Sequence, residues 1–221
     1  MKVALITANI GGIDSFNFSE EFSFQDYEFY FHNYSENGIP FPLPNLDNRT
    51  KARYIKIMPH RFLSGFDAYI WIDGRIKITS ELFISTFVKH FENKKEFVVI
   101  THPKRKSIYE EIEFILHQMN KGEHYLIERY GYQQLRKELE FYKSEQYPND
   151  EIPLFSSGIL GRLNNEKVNK ACDEWFLRSI EFSNFDQAML SYIIWKYELS
   201  SKQLLYENGL FKVMEHNKII Y

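Results

Sequence analysis

A carboxylate directly after a predicted buried strand is the first candidate for chemistry in this chain. The apolar run at 68–72, Ala-Tyr-Ile-Trp-Ile, stops at Asp73 and Gly74, and its composition predicts a buried strand. In open α/β sheets, ligands bind beyond the carboxyl ends of the strands, where Asp73 would be well placed to hold a metal ion. Another interpretation stays open, because Asp-Gly followed by the alternating residues 75–78 is also typical of a hairpin turn.

Four basic or ionisable side chains share one stripe of a predicted helix. They are Arg49, Arg53, Lys56 and His60, spaced at i, i+4, i+7 and i+11, and Pro59 is predicted to end that helix. Like charges along one face repel one another unless an anion joins them. The stripe is therefore either a solvated face or a surface that binds a phosphate-bearing ligand.

Three residues near the carboxyl end of the chain carry weaker signals. Asp186 opens a helical pattern, but the spacing Ser183-x-x-Asp186 is also that of a capping box. His216 is a lone histidine near the terminus, which is typical of a surface residue. Cys172 repeats at helical spacing with Trp175 and other apolar residues, so we predict that both pack in the core.

The rest of the pattern predicts the elements that position these residues. Short apolar runs alternate with helical periodicity, which is typical of an α/β domain with a central mixed sheet and helices on its faces. We predict strands at 3–8, 27–31, 68–73 and 96–100, a strand-like run at 152–161, and helices that begin near 48, 81, 107, 168 and 186. The first strand ends at Gly11-Gly12, where a nucleotide would fit, although GxGxxG and P-loop patterns are both absent.

Composition limits the classes of function. The 221 residues are 44% hydrophobic and 17% aromatic, which suits one domain, residues 1–221, with its own core. The net charge of -3, from 27 basic and 30 acidic residues, argues against a global field that binds nucleic acid. A single cysteine excludes an internal disulfide and favours a reducing compartment such as the cytoplasm. The apolar run at 3–8 is too short for a signal peptide or transmembrane segment.

Taken together, the motifs resemble a known family, the glycosyltransferase-like domain of the TOD/MUCI type. That family occurs in plants and in bacterial surface-polysaccharide clusters and is related to nucleotide-sugar transferases of the GT-A fold. The ordered set that carries the resemblance is Ala4-Leu5-Ile6-Thr7-Ala8 with Gly11-Gly12, Lys56-x-x-Pro59-His60, Tyr69-Ile70-Trp71-Ile72-Asp73-Gly74, His102-Pro103-x-Arg105 with Tyr109-Glu110-Glu111, Trp175, and Asp186-Gln187.

The resemblance implies a single GT-A-like α/β domain that transfers a sugar from a nucleoside diphosphate sugar to a glycan or lipid-linked glycan. Surface-polysaccharide biosynthesis in the cytoplasm, with peripheral membrane association left open, would be its setting. Asp73 becomes the counterpart of the metal-holding carboxylate in the family's Asp-x-Asp motif, although Trp71 stands in place of the first Asp. A divalent manganese or magnesium ion would then bind Asp73, with His216 as a second ligand that favours manganese.

The resemblance also implies roles for other residues. Lys56, His60 and Arg105 would stabilise the negative charge of the departing diphosphate. The segment Thr7, Ala8 and Asn9 would meet the nucleotide. Asp186 would accept the proton of the acceptor hydroxyl in an inverting reaction, or face the sugar in a retaining one, and the sequence does not choose between them.

Two other classes of function stay open at this point. A non-catalytic module that binds a nucleotide sugar or glycan would keep the aromatic and basic groups, and the missing first Asp favours it. A metal-dependent hydrolase would use Asp73 with the histidines His60, His102 and His216, although no compact histidine-carboxylate motif is present.

Overall fold

A computed structural model describes residues 1–11, 28–35, 39–43, 45–148 and 151–214 of the chain. Its strands are β1 (Lys2–Asn9), β2 (Glu28–Ser35), β3 (Ala68–Ile72), β4 (Ile76–Ile78), β5 (Phe97–Thr101), β6 (Phe155–Leu163), β7 (Ser201–Leu204) and β8 (Phe211–Val213). Its helices are α1 (Asn48–Ile57), α2 (Leu82–Glu92), α3 (Ile108–Asn120), α4 (His124–Tyr130), α5 (Tyr132–Ser144), α6 (Glu166–Glu181) and α7 (Asp186–Lys196), with a short 3-10 helix at Pro59–Arg61 after α1.

The central sheet is mixed, with the strand order β2-β1-β3-β6-β5-β7. Strands β1, β2 and β3 are parallel, and β5 and β7 are parallel, whereas β6 runs antiparallel to its neighbours β3 and β5. Five strands therefore point one way and β6 points the other. The prediction of a mixed α/β sheet flanked by helices is confirmed.

Alternate residues of the central strands enter two different cores, because side chains on a strand point to opposite faces. On one face, Ala4, Tyr69 and Val99 pack with α1, α3, α5, α6 and α7. On the other, Leu5, Ile70 and Val98 pack against α2 and the small β4-β8 sheet. Both faces of the central strands are covered, which explains why their sequences are continuously apolar.

Most element boundaries lie within a few residues of those predicted. The strand predicted at 27–31 is described from Glu28 and runs to Ser35, while Tyr27 lies outside the described residues. Asp47 caps α1, since its carboxylate accepts the N–H groups of Arg49 and Thr50, and the helix ends before Pro59 as predicted. Among the described residues, no helix combines the length and the apolar composition needed to cross a membrane.

The hairpin interpretation of Asp73-Gly74 is wrong, although the turn itself is present. The Ile76 N–H donates to the Asp73 carbonyl at 2.9 Å, which closes the turn. Strand β4 then leaves the central sheet and pairs with β8 instead of folding back on β3. The apolar Ile76 and Ile78 are buried in the second core, so tertiary packing overrides the local hairpin signal.

We expect Gly161→Ala to destabilise the fold. A Cβ at Gly161 would lie 2.5 Å from Phe87 Cδ1 and 2.8 Å from Phe91 Cζ, both on α2, and overpacking of this kind costs about 1–3 kcal/mol. Gly158→Ala, in the same strand, is the matched control, because its Cβ would meet the Asp73 carboxylate at 3.3 Å. Urea unfolding should show a lower midpoint for Gly161→Ala than for Gly158→Ala, and equal midpoints would contradict the packing argument.

Candidate active site

The strand directions bring several polar residues to one edge of the sheet. Strands β3 and β5 end at this edge, which places Asp73 and His102 there, and the antiparallel β6 begins there with Ser156, Ser157 and Gly158. The Asp73 N–H donates to the Gly158 carbonyl at 2.8 Å, and the His102 N–H donates to Leu154 at 2.9 Å. A cavity of about 200 Å³ opens here, closed by residues from α1, α4 and α7.

A buried cluster of opposite charges lies at the centre of this cavity. Lys56 Nζ lies 2.6 Å from Asp186 Oδ2 and 3.7 Å from Asp73 Oδ1, while Arg53 Nη2 lies 2.9 Å from Asp186 Oδ1. The Lys56 side chain is 1% exposed and that of Asp186 is 5% exposed. Two cations from α1 thus meet one carboxylate from α7 and a second from the end of β3.

Hydrogen bonds from the core fix the backbone on both sides of this cluster. Arg162 of β6, itself buried, donates from Nη2 to the Lys56 carbonyl at 3.0 Å. Trp175 of α6 donates from Nε1 to the Asp186 carbonyl at 3.1 Å. The prediction that Trp175 and Cys172 pack in the core is confirmed, as both are fully buried. Through its hydrogen bond to the Asp186 carbonyl, Trp175 also fixes the start of α7.

The two cations keep Asp186 ionised. Burial alone would raise the pKa of this carboxyl, but the attraction of Arg53 and Lys56, with the Lys56 hydrogen bond, holds it well below its usual range. A carboxylate with a depressed pKa is a weak proton acceptor. This environment therefore keeps Asp186 negatively charged and makes it a poor base.

The second carboxylate, Asp73, is more accessible. Its side chain is 32% exposed, and its Oδ1 accepts the indole N–H of Trp71 at 2.7 Å. Trp71, two residues before Asp73 in the chain, therefore orients this carboxylate. The other oxygen, Oδ2, faces Gly158, where the absence of a side chain leaves room for it.

The capping interpretation of Ser183 and Asp186 is wrong. The N-cap of α7 is Phe185, which makes no side-chain capping bond, and Asp186 is the first helical residue. The Ser183 hydroxyl donates instead to Glu138 Oε2 of α5. Both members of the local pattern use long-range partners, so the spacing arises without a capping box.

The interpretation of the basic stripe as a solvated face is also wrong. Lys56 is buried, and the Arg53 side chain is only 12% exposed. Arg49 donates to the backbone carbonyls of Arg129 and Asn184, and so ties α1 to α4 and to the segment before α7. Three of the four stripe residues thus either neutralise the charge of Asp186 or fix the position of a neighbouring element of the cavity.

The family model described as the TOD1/MUCI70 glycosyltransferase-like domain matches residues 41–221. The chain belongs to this family. The matched range includes all the cavity residues described above, whereas β1 lies before it. No curated protein sequence matches the chain.

Two solved structures are similar to this member of the TOD1/MUCI70 family. One is A197 from STIV, at 8% identity, with 93% of this chain and 82% of that chain covered and a TM-score of 0.43. The other is a glycosyltransferase involved in the glycosylation of the major capsid of PBCV-1, at 10% identity, with 93% and 82% covered and a TM-score of 0.46. TM-scores this low carry no functional conclusion.

Several residues that the resemblance singled out lie away from the cavity lining. His60 is 5% exposed and its Nε2 lies 2.9 Å from Asp173 Oδ1 of α6. Thr7, in β1, is fully buried, and Ala8 and Asn9 continue that strand without lining the cavity. Arg105 pairs with Glu111, whose side chain does line it. The donor-binding roles of these residues stay predictions.

The predicted metal site is incomplete among the described residues. No group of three His, Cys, Asp or Glu side chains that would hold a metal lies within the described ranges, and His216 falls outside them. Asp73 Oδ1 and both Asp186 oxygens already accept hydrogen bonds or ion pairs. Asp73 Oδ2 is the oxygen left to meet a hard cation. These residues alone do not fit a metal site, and manganese or magnesium binding through Asp73 and His216 stays a prediction.

The sequence pattern does not predict that α4 lines the cavity. Arg129 and Tyr130 line the cavity from the end of this helix, which lies between Gly122 and Gly131, at φ 90° and 67°. Arg49 stacks on the Tyr130 ring, 5.0 Å from its centroid. Glycines at positive φ mark the ends of the helix. The local sequence does not, however, predict that the Arg129 side chain faces a site.

A buried acid supports the segment before α7. Glu138 is 1% exposed and accepts hydrogen bonds from Tyr142, at 2.6 Å, and from Ser183. Burial raises the pKa of Glu138 from 4.5 to about 7, against the lowering effects of Ser183, Tyr142 and the charge of Arg49. The folded state therefore holds this proton more tightly than the unfolded state does.

Stability should therefore fall as pH rises between about 4.5 and about 7, and level off above that range. We expect Glu138→Gln to remove this component of the pH dependence, because the amide does not titrate. Denaturant unfolding of both proteins across this range measures it. Glu140→Gln, an exposed change on the same helix, should leave the profile as it is, and an unchanged slope in Glu138→Gln would contradict the assignment.

Proposed function

We propose that this chain is a glycosyltransferase that moves a sugar from a nucleoside diphosphate sugar to a glycan or glycoconjugate acceptor. Membership of a glycosyltransferase-like family supports glycosyl transfer as the general activity. The finer proposal rests on one observation, the cluster of Lys56, Arg53, Asp73 and Asp186 in a cavity at the strand ends. Such edges are where α/β sheets bind ligands.

The cations of the cavity suit the leaving group. Transfer from a nucleoside diphosphate sugar leaves negative charge on the departing diphosphate, and fixed cations in a partly enclosed site stabilise that charge without having to reorganise. Lys56 and Arg53 are held in place by Asp186, and Arg129 faces the same cavity from α4. We propose that these three side chains meet the phosphates.

The carboxylates suit the sugar. Glycosyl transfer develops positive charge near the anomeric carbon, which a fixed carboxylate stabilises. Asp186 stays ionised beside Lys56 and Arg53, so we propose that it faces the sugar rather than taking a proton. The more accessible Asp73 is the candidate to meet the acceptor.

The biological setting is part of the same proposal. The family resemblance supports surface-polysaccharide biosynthesis, with a glycan or lipid-linked glycan as acceptor and the cytoplasm as the location. Peripheral contact with a membrane would give access to a lipid-linked acceptor. A module that only binds nucleotide sugars, and a metal-dependent hydrolase, are the outcomes that would replace this function.

A panel of nucleoside diphosphate sugars with glycan acceptors tests the proposal. We expect one donor to give a glycosylated product, detected by mass spectrometry, together with release of the nucleoside diphosphate. Bare hydrolysis in the presence of every acceptor would favour the hydrolase. Donor binding by calorimetry, with neither transfer nor hydrolysis, would favour the binding module.

We expect Asp186→Asn to lower kcat about 10²–10⁴-fold, because the charge of this carboxylate acts in the transition state. The variant will also lose stability, since it leaves Lys56 and Arg53 without their shared partner. Turnover on the donor found above, measured where the variant is fully folded, separates the two effects.

Asp173→Asn is the matched control for this variant. Asp173 also pairs with two basic groups, His60 and Arg61, but it does not line the cavity. We expect a lower melting temperature and normal kcat from this change. If both variants kept normal kcat, Asp186 would be a structural ion-pair partner only.

A further inference from the structure

His102 is held in one protonation state by its own loop. It follows β5 at the cavity edge, and its Nδ1 lies 2.9 Å from the N–H of Arg105 and 3.3 Å from the N–H of Lys104. Backbone amides only donate, so Nδ1 must be the acceptor. A neutral imidazole with an accepting Nδ1 carries its proton on Nε2.

The surroundings oppose a positive charge on this ring. Burial and the charge of Arg105 lower the pKa of His102 to about 4, although the Arg105 backbone contact and Glu110 act in the opposite direction and Lys104 adds to the lowering. Protonation of Nδ1 would also break both backbone hydrogen bonds. The ring is thus neutral at physiological pH.

The loop that carries His102 is linked to the start of α7, where Asp186 lies. The Arg105 side chain pairs with Glu111 of α3 and lies 4.3 Å from the Phe114 ring centroid. Glu111 Oε1 in turn accepts from Gln187 Nε2 at 3.4 Å, and Gln187 directly follows Asp186. A chain of contacts therefore connects the His102 loop to the start of α7.

The residues around His102 differ from those on the α1 side of the cavity. His102, Glu111, Ser156 and Gln187 all line it, and three of them are neutral hydrogen-bonding groups. Within the described part of the chain, no hydrogen bond is made by His102 Nε2. Neutral donors and a carboxylate acceptor match the hydroxyl groups of a sugar, whereas the arginines and lysine match phosphate.

We propose that His102 is a sugar-binding residue whose Nε2–H donates to a hydroxyl or ring oxygen of the transferred sugar. This inference rests on the proposed function and adds a sugar subsite where β5 ends and β6 begins. It also removes two roles from His102. A ring with its proton on Nε2 is neither a general base nor a metal ligand through that nitrogen, so the hydrolase hypothesis loses this histidine.

Two substitutions separate the two nitrogens of the ring. In His102→Asn, the amide oxygen takes the place of Nδ1 and keeps the loop bonds, but the donor at Nε2 is lost. In His102→Gln, the amide N–H reaches the place of Nε2 and keeps the donor, while the loop acceptor is lost. Measurements are the melting temperature, kcat and KM for the active sugar nucleotide, and calorimetric binding of UDP and GDP.

We expect His102→Asn to keep the wild-type melting temperature and diphosphate affinity, and to lose roughly tenfold in kcat/KM. His102→Gln should retain more of kcat/KM despite a lower melting temperature. Normal kcat/KM in His102→Asn would overturn the proposal. So would a loss that followed the melting temperature in both variants, because it would make the histidine a loop-fixing residue alone.

Nitrogen-15 NMR of the histidine rings gives a readout that does not need the donor. We expect the Nε2–H tautomer for His102, with no titration between about pH 5 and about pH 8. A proton on Nδ1, or titration in that range, would overturn the proposal. Failure of the wild-type protein to use any sugar nucleotide would contradict the proposed function instead. The NMR measurement would still establish the tautomer of His102.

Discussion

The ion pair between Lys56 and Asp186, 2.6 Å apart and almost fully buried, is the interaction on which the cavity depends. A buried charge is tolerated only when it is paired and hydrogen-bonded, and removal of one partner from such a pair costs about 3–5 kcal/mol. Lys56 comes from the last turn of α1 and Asp186 from the first turn of α7. Neither helix can shift without separating them, so the pair fixes how α1 and α7 meet over the sheet edge.

The surrounding structure maintains that pair from several directions. Arg162 binds the Lys56 carbonyl and Trp175 binds the Asp186 carbonyl. Behind α7, Glu138 holds Ser183, and Arg49 holds the Asn184 carbonyl at 2.7 Å. Three of these four contacts join residues 45 or more positions apart in sequence. The cavity is therefore rigid where the charges lie, which is the preorganisation that charge stabilisation in a transition state requires.

The sequence predicted the features that depend on local periodicity. The buried strand at 68–72, which ends at a carboxylate, follows from its continuous apolar run, and the helix from Asn48 follows from a period-3.6 pattern. The pairing of Lys56 with Asp186, 130 positions apart, leaves no such pattern. The same limit explains the wrong capping box, because Ser183 and Asp186 have the right spacing but use partners on α5 and α1. Arg129 lies on a short exposed helix, whose orientation only the tertiary structure decides.

The distribution of charge changes how an anionic ligand would be attracted. The sequence leaves phosphate binding open for the stripe, but in the structure Lys56 and Arg53 are already balanced by Asp73 and Asp186. Their remaining contribution is directional, through N–H groups aimed at the cavity, rather than a net positive field. Arg129 makes no ion pair within the described residues and donates instead to the Tyr125 hydroxyl at 2.5 Å. In the proposed function, an entering diphosphate would therefore gain orientation from α1 and additional positive charge from Arg129 of α4.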